Sequence, residues 1–501
     1  MELVFETKTA SWLQPVIRQT RSQEETAEII VPDSCPDIGR IVFTGAAAVL
    51  RQKECRAGSA LVTGGVRAAV LCMPEDNSGP RVLDAYLPFS LRFDQPGVTD
   101  ETRLSVQLQV RSADARLIHS RKALVRVTVG CTAEGWNEAE ETFPAIQDPP
   151  EALQLKKQSY PLLLPSEQAE KAFVLSEELE LPAGKPDAAR VCFFDARPVV
   201  LESKLVGSKA VFKGVLDVHL LYLSPEGGAD VFSQQLPFSQ YCELRHEYDE
   251  DALAVVPAVT GAELEPDGEE GRRFLLTVQV TAQCLASAVR QEELCEDAYA
   301  VKGRFTPEWR EYQLDCRLDG QTLRAPLQGA VKAPARAVVD SAVYLGEIAQ
   351  ERTAGGVRVR VPASVNVLYL DEQGALQGAS GAAEAVCETA LAENGVCFAR
   401  ASLAPGGFAA PAAGGAEPRC DVLLELGSSA KESLRTLSGG TLEEEEKTGA
   451  ERPSVVLLRS RTRQPVWNLA KKYGTTVEAI RQANRLEADL AEEGELLLIP
   501  M

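Results

Sequence analysis

The chain is predicted to be mainly β: tandem β-rich, sandwich-like domains followed by a small α+β module in the order strand, helix, helix, strand. Three observations carry this expectation. Apolar and polar residues alternate through most of the chain, the two-residue period that turns one strand face toward a core. A block of sequence recurs about 150 positions further on. Two helical segments flanked by apolar strands appear together only in the last 48 residues.

Taken in order, residues 1–144 form the first domain. Its entry holds Pro32, Pro36, Asp37 and Arg40, each of which returns 150 positions later as Pro182, Pro186, Asp187 and Arg190. Prolines fix the backbone there and an aspartate side chain caps nearby N–H groups, so a turn leading into a strand is predicted. Leu104, Val106, Leu108 and Val110 share one strand face, and Ser105, Gln107 and Gln109 share the other, which is expected to be solvated. Leu87-Pro88-Phe89-Ser90 reads as an edge strand, where proline is tolerated.

Residues 145–177, rich in Pro, Gln, Glu and Lys, are predicted to be a linker, with some helical periodicity over 165–180. The second domain, 178–304, repeats Gly65-Val66 as Gly214-Val215 and Leu87–Ser90 as Leu236–Ser239, both at an offset of 149. Leu216, Val218, Leu220 and Tyr222 define its best strand face. Asp217 and His219 fall on the opposite face, as a solvated pair in preference to a catalytic dyad. A diverged third domain, 334–436, parallels that strand with Ala363, Val365, Val367 and Tyr369 but lacks the Pro-Asp and Leu-Pro-Phe-Ser elements. Glycine- and proline-rich stretches at 403–418 and 437–453 are predicted linkers, the latter tethering the last module. A period this long marks tandem domains, not a solenoid of about 20–50-residue units.

The last module, 454–501, opens with the strand Val455–Leu458. A helix over 466–473 is stopped by Gly474, and a second over 475–484 starts at the capping box Thr475-Thr476-Val477-Glu478. Val477, Ile480 and Ala483 face one way on that helix, and Leu496–Pro500 closes the module as a strand. With Trp467-x-Leu469-Ala470-Lys471-Lys472-Tyr473-Gly474, Asn484 and Leu497-Leu498-Ile499-Pro500, the segment resembles a LysM domain. That resemblance implies binding of N-acetylglucosamine polymers such as peptidoglycan or chitin, through backbone groups of the loop after the first strand. Arg463, Gln464 and Pro465 stand where the family has Gly-Asp-Thr, and the proline removes one N–H donor. The binding surface is placed on Arg461, Arg463, Gln464, Pro465, Val466 and Trp467, with Glu492, Glu493, Gly494 and Glu495 from the loop before the last strand. Trp467 also has a competing assignment to the core.

The repeats in turn resemble the SPOCS domain of spore-coat-associated proteins, in their Pro-Asp entry, their Gly-Val/Leu strand ending in tyrosine, and their Pro-Phe-Ser element. Several such domains followed by one LysM is the domain order of a family from endospore-forming bacteria. By that resemblance the chain is a non-catalytic scaffold of spore-coat or envelope morphogenesis, located in the mother-cell cytoplasm at the forespore surface. It would dock through its LysM on a coat-assembly ATPase similar to stage IV sporulation protein A. The alternative is a peptidoglycan-binding protein of the cell wall or cortex.

Composition narrows the remaining choices. A formal charge of −21 over 501 residues repels nucleic acid and anionic lipid surfaces. No apolar run approaches the roughly 18 residues of a membrane-spanning helix. Met1–Glu6 and the residues after them show no basic region leading into an apolar run, so no secretion signal is expected. Twelve cysteines lack any Cys-x-x-Cys pair, and His119, His219 and His246 supply no ligand spacing with them. Reduced core thiols, no metal and no cofactor are expected. Ser428-x-x-Lys431 and Lys447-Thr448-Gly449 match motifs of penicillin-recognising enzymes but flank an acidic linker here, and no other catalytic signature appears. The chain is therefore expected not to be an enzyme.

Overall fold

A computed structural model describes residues 5–76, 78–146, 149–248, 252–390, 396–412, 415–443 and 454–501, with the backbone alone at 315–319, 396–397 and 429–432. The first unit comprises β1 (Glu6–Ile30), β2 (Ile38–Arg56), β3 (Ser59–Pro74), β4 (Arg81–Asp94), β5 (Arg103–His119) and β6 (Lys122–Ala145). These strands make two antiparallel sheets, β1-β6-β5 and β2-β3-β4. The alternating apolar residues meet between the sheets, with Val62, Val66 and Val70 of β3 in one cluster with Leu104, Val106, Val125 and Val127. Pro88 lies on edge strand β4 opposite Gly65.

The same arrangement recurs twice. The second unit comprises β7 (Leu153–Glu180), β8 (Arg190–Leu223), β9 (Ala229–Tyr248), β10 (Ala252–Pro266) and β11 (Arg273–Ala300). Ala189 N–H donates to Leu223 O at 2.8 Å, so the chain of β8 doubles back, reversing near Gly207 at φ 57°. Its two arms stand where β2 and β3 stand in the first unit. The third unit comprises β12 (Arg304–Pro326), β13 (Gln328–Gly329), β14 (Val331–Lys332), β15 (Ala337–Leu345), β16 (Ala349–Thr353), β17 (Gly356–Leu370), β18 (Leu376–Ala390), β19 (Val396–Leu403), β20 (Phe408–Ala412), β21 (Gly415–Arg419) and β22 (Asp421–Glu443). The order β1-β6-β5 reappears as β7-β11-β10 and as β12-β22-β19, and β2-β3-β4 reappears as β15-β17-β18. The chain ends in β23 (Val455–Arg459), β24 (Gln464–Pro465), α1 (Val466–Tyr473), α2 (Val477–Asn484), β25 (Leu490–Ala491) and β26 (Leu496–Pro500).

Several expectations are corrected. Residues 145–177 are largely strand and not linker: β7 pairs with β11 along its whole length, from Leu153 with Ala300 to Glu180 with Arg273. Its partner lies more than 90 residues away, and among the described residues its other side pairs with β12 at Leu163 with Arg317, which leaves room for Pro161 and Pro165. The helical periodicity over 165–180 is overridden by this pairing. The 403–418 stretch holds the hairpin β20–β21, and β22 runs through 437–443; the rest of that predicted linker lies outside the described residues, as do Lys447–Gly449 and the Lys431 side chain.

The repeat offset in the central strand is 150, not 149. Gly64 lies so close to Val49 O and Phe89 Cζ that a Cβ would sit 2.3 and 2.5 Å from them. Gly214 meets Val199 O and Phe238 Cζ in the same way, at 2.1 and 2.8 Å. Gly64, not Gly65, is thus the counterpart of Gly214. Because strand side chains alternate, a one-residue slip would put Val66 on the wrong face.

The turn at the repeated Pro-Asp motif forms as predicted, with Cys35 N–H donating to Pro32 O and Lys185 N–H to Pro182 O, each at 2.9 Å. The aspartates do something else. Asp37 and Asp187 accept from arginines at equivalent positions, Arg121 at 3.3 Å and Arg272 at 2.6 Å. Arg121 also donates to the carbonyls of Val31, Pro32 and Cys35. Arg272 donates to those of Leu181, Pro182 and Lys185.

Contacts between units run in a ring. Arg190 of the second unit reaches Val82 O of the first at 3.3 Å. Arg40 of the first reaches Leu376 O of the third at 3.4 Å. Asp340 of the third lies 2.9 Å from His219 Nε2 of the second. A second set follows the same direction: the Gln283 amide of the second unit exchanges hydrogen bonds with Val106 of the first, and Glu134 of the first pairs with Arg400 of the third at 2.9 Å. Apolar clusters also join all three units, one holding Phe43, Cys192 and Leu368, another Trp12, Leu162 and Tyr312, and the core of the first unit takes in Ala258 of the second and Tyr344 of the third.

These contacts overturn two surface assignments. Gln107 and Gln109 donate to Ala401 O of the third unit and do not face a solvated sheet. Asp217 and His219 are not a solvated pair. Asp217 is 5% exposed and binds Arg197 at 2.7 Å and Gly406 N–H at 3.1 Å, whereas His219 turns to Asp340 and to Ser233 Oγ at 2.9 Å.

Candidate binding surface of the C-terminal module

The module's core is small: Val466, Leu469, Ala470 and Ile480 from the helices and Leu497 and Ile499 from β26. Gly474 closes α1 in the left-handed conformation at φ 65°, as predicted. The cap of α2 is Thr476, whose Oγ1 accepts from Ala479 N–H at 3.0 Å, and not Thr475, which is buried with its carbonyl engaged elsewhere. Ala483 is exposed and takes no part in the core. Asn484 fixes α2 to β26 by exchanging hydrogen bonds with Leu498 N–H and O, both at 2.6 Å.

One side of the module is seated on the end of β11. Trp467 stacks edge-on against Tyr299 with centroids 4.9 Å apart. Its Nε1–H donates to Asp297 Oδ2 at 2.8 Å, and Lys471 Nζ donates to Oδ1 at 2.6 Å. Tyr299 Oη–H donates to Thr475 O at 2.7 Å. Burial pushes the Asp297 pKa up, but the hydrogen bonds from Lys471 and Trp467 and the lysine charge outweigh it and hold the carboxyl below its ordinary value.

Of the ten predicted surface residues, Val466 is wholly buried and Trp467 is committed to Tyr299 and Asp297. The other eight come together. Ser460 N–H donates to Glu495 O and Gly494 N–H to Ser460 O, each at 2.8 Å, which ties the two loops side by side. Gly494 adopts φ 83°, a backbone state glycine takes without strain. Gln464 and Pro465 pair with Ala491 and Leu490, and Arg463 lies 3.2 Å from Glu492. Arg461, Arg463, Glu492 and Glu493 are exposed on this surface. Asp297 and Tyr299 escape sequence reasoning because they lie about 170 residues from their partners and belong to no motif of the module.

Residues 466–500 match the LysM domain family, so the chain carries a C-terminal LysM domain, a class that suggests binding of peptidoglycan or related N-acetylglucosamine polymers. The match ends there: none covers the three β units, and their likeness to SPOCS rests on the sequence motifs alone. No curated protein and no solved structure matches the chain. Among the described residues, no helix is long and apolar enough to cross a membrane.

Proposed function

We propose that the chain is a non-catalytic binding scaffold in which the ring of three β units carries a LysM domain that engages an N-acetylglucosamine polymer. The observation that carries this reading is the LysM match together with two loops, 460–465 and 490–495, held side by side with exposed arginine and glutamate side chains. Exposed backbone and polar side chains suit a sugar chain, whose hydroxyls both donate and accept. The test is sedimentation of the full-length chain with protein-free peptidoglycan. Pelleting that chitohexaose releases is expected; a chain left in the supernatant removes the polymer.

A second reading, docking on a coat-assembly ATPase similar to stage IV sporulation protein A at the forespore surface, is favoured by one feature. Arg461 and Arg463 lie in the loop where the family has Gly-Asp-Thr, Arg459 ends β23 beside it, and Pro465 offers no N–H, which suits an acidic protein surface. Retention of that ATPase from sporulating cells by the wild-type chain, and its loss with R461E/R463E, is the expected result. Equal retention by both chains removes this loop from any docking surface.

A further inference from the structure

Where the three units meet lies a partly open cavity of about 620 Å³. That lies within the roughly 300–1,000 Å³ typical of small-molecule sites. Its wall draws on β2 and β3 of the first unit, β8 and β10 of the second, and β19 and β22 of the third. Ala47, Val49, Val199 and Val256 line it while belonging to none of the apolar clusters.

Three arginines line it as well. Arg197 is paired with Asp217 at 2.7 Å, and Arg400 with Glu134 at 2.9 Å. Arg67 differs. Its guanidinium carbon lies over the Phe194 ring, 4.1 Å from the centroid, yet its Nε is buried without a hydrogen bond and it forms no ion pair among the described residues. Burial pushes its pKa down and Asp195 offsets this only through space. Arg67 stands directly opposite Ala47 in the β2–β3 ladder, so its side chain rises from the same sheet face as Ala47 and Val49. Asp195, Glu202 and Glu425 line other parts of the wall; a cation with an unused Nε–H beside the patch of Ala47, Val49, Val199 and Val256 suits a ligand with an anionic head and a hydrocarbon body.

We propose that this cavity binds a small amphipathic organic anion, its carboxylate on Arg67 and its apolar body against Val49, Val199 and Val256. The site is independent of the LysM domain. The test is calorimetric titration of the full-length chain with octanoate and, separately, with 1-octanol, which shares the hydrocarbon body but not the charge. One saturable octanoate site is expected, at least tenfold tighter than octanol and weakened at least tenfold by R67Q. Absence of saturable octanoate binding, equal affinity for the alcohol, or an unchanged affinity in a folded R67Q overturns the proposal. Should R67Q fail to fold, V199W, which fills the cavity from another strand, takes its place, and unchanged octanoate affinity there overturns it equally. The acid–alcohol comparison on the wild type requires no variant.

Discussion

Arg121 and Arg272 explain why Pro32, Pro36 and Asp37 recur 150 residues on. Each arginine gathers three carbonyls and the recurring aspartate of the turn, and Arg121 reaches Asp33 as well, so the motif is the receiving half of a clasp whose donor lies more than 80 residues away. Asp and Pro were legible as turn residues; the arginine was not, because nothing in its local sequence marks it. Charge-assisted bonds to partly buried carbonyls are worth more than neutral ones, so R272A is expected to cost about 2–3 kcal/mol in urea unfolding. R336A, an exposed residue in the third unit where the Pro-Asp motif is missing, should stay within about 0.5 kcal/mol. Equal losses in the two variants would count against the clasp.

Among the elements, the C-terminal module was the most legible. Its helices and strands follow from local signals: an apolar stripe of helical period, Gly474 where only a left-handed residue ends the turn, and a threonine cap misplaced by one residue because Thr475 and Thr476 are chemically alike. Its seat on β11 was not legible, since Trp467 packs as well against its own core as against a neighbouring tyrosine. Asp297 holds both Trp467 and Lys471, so D297A should loosen the module without unfolding it, at a cost of about 1–3 kcal/mol in docking. Hydrogen–deuterium exchange should rise in 297–301 and 466–475 while α2 and β26 stay protected. Exchange that rises through the whole module would mean that the contact supports folding and not placement. β7 shows the reverse case: its polar, proline-bearing sequence resembles a linker, and pairing with β11 decides otherwise.

For the whole molecule, ring closure depends on polar contacts buried between units, and one of them titrates. Burial opposes charge on His219, but the Asp340 carboxylate at 2.9 Å outweighs it, so the histidine pKa lies above its ordinary value of 6.5; Arg197 opposes this and Asp195 assists it. A raised folded pKa means the His219–Asp340 pair contributes fully below the unfolded value and is lost as pH rises through the folded one. The difference in melting temperature between wild type and H219Q is therefore expected to be larger near pH 6 than near pH 9. A difference that is flat or grows with pH would remove the charged His219–Asp340 pair from ring closure.

The sequence by itself determined the strand faces, the threefold repetition of one pattern and the LysM domain, because a two-residue period, a long-range repeat and helix-end chemistry are all written locally. Val66, Leu216 and Ala363 announce their cores in any register that keeps the period. Only the tertiary structure decided what the other faces do. A polar residue such as Gln107 or His219 has the same local signature whether it meets water or a neighbouring unit. Which it meets depends on how three sandwiches turn their outer faces toward one another around a shared cavity.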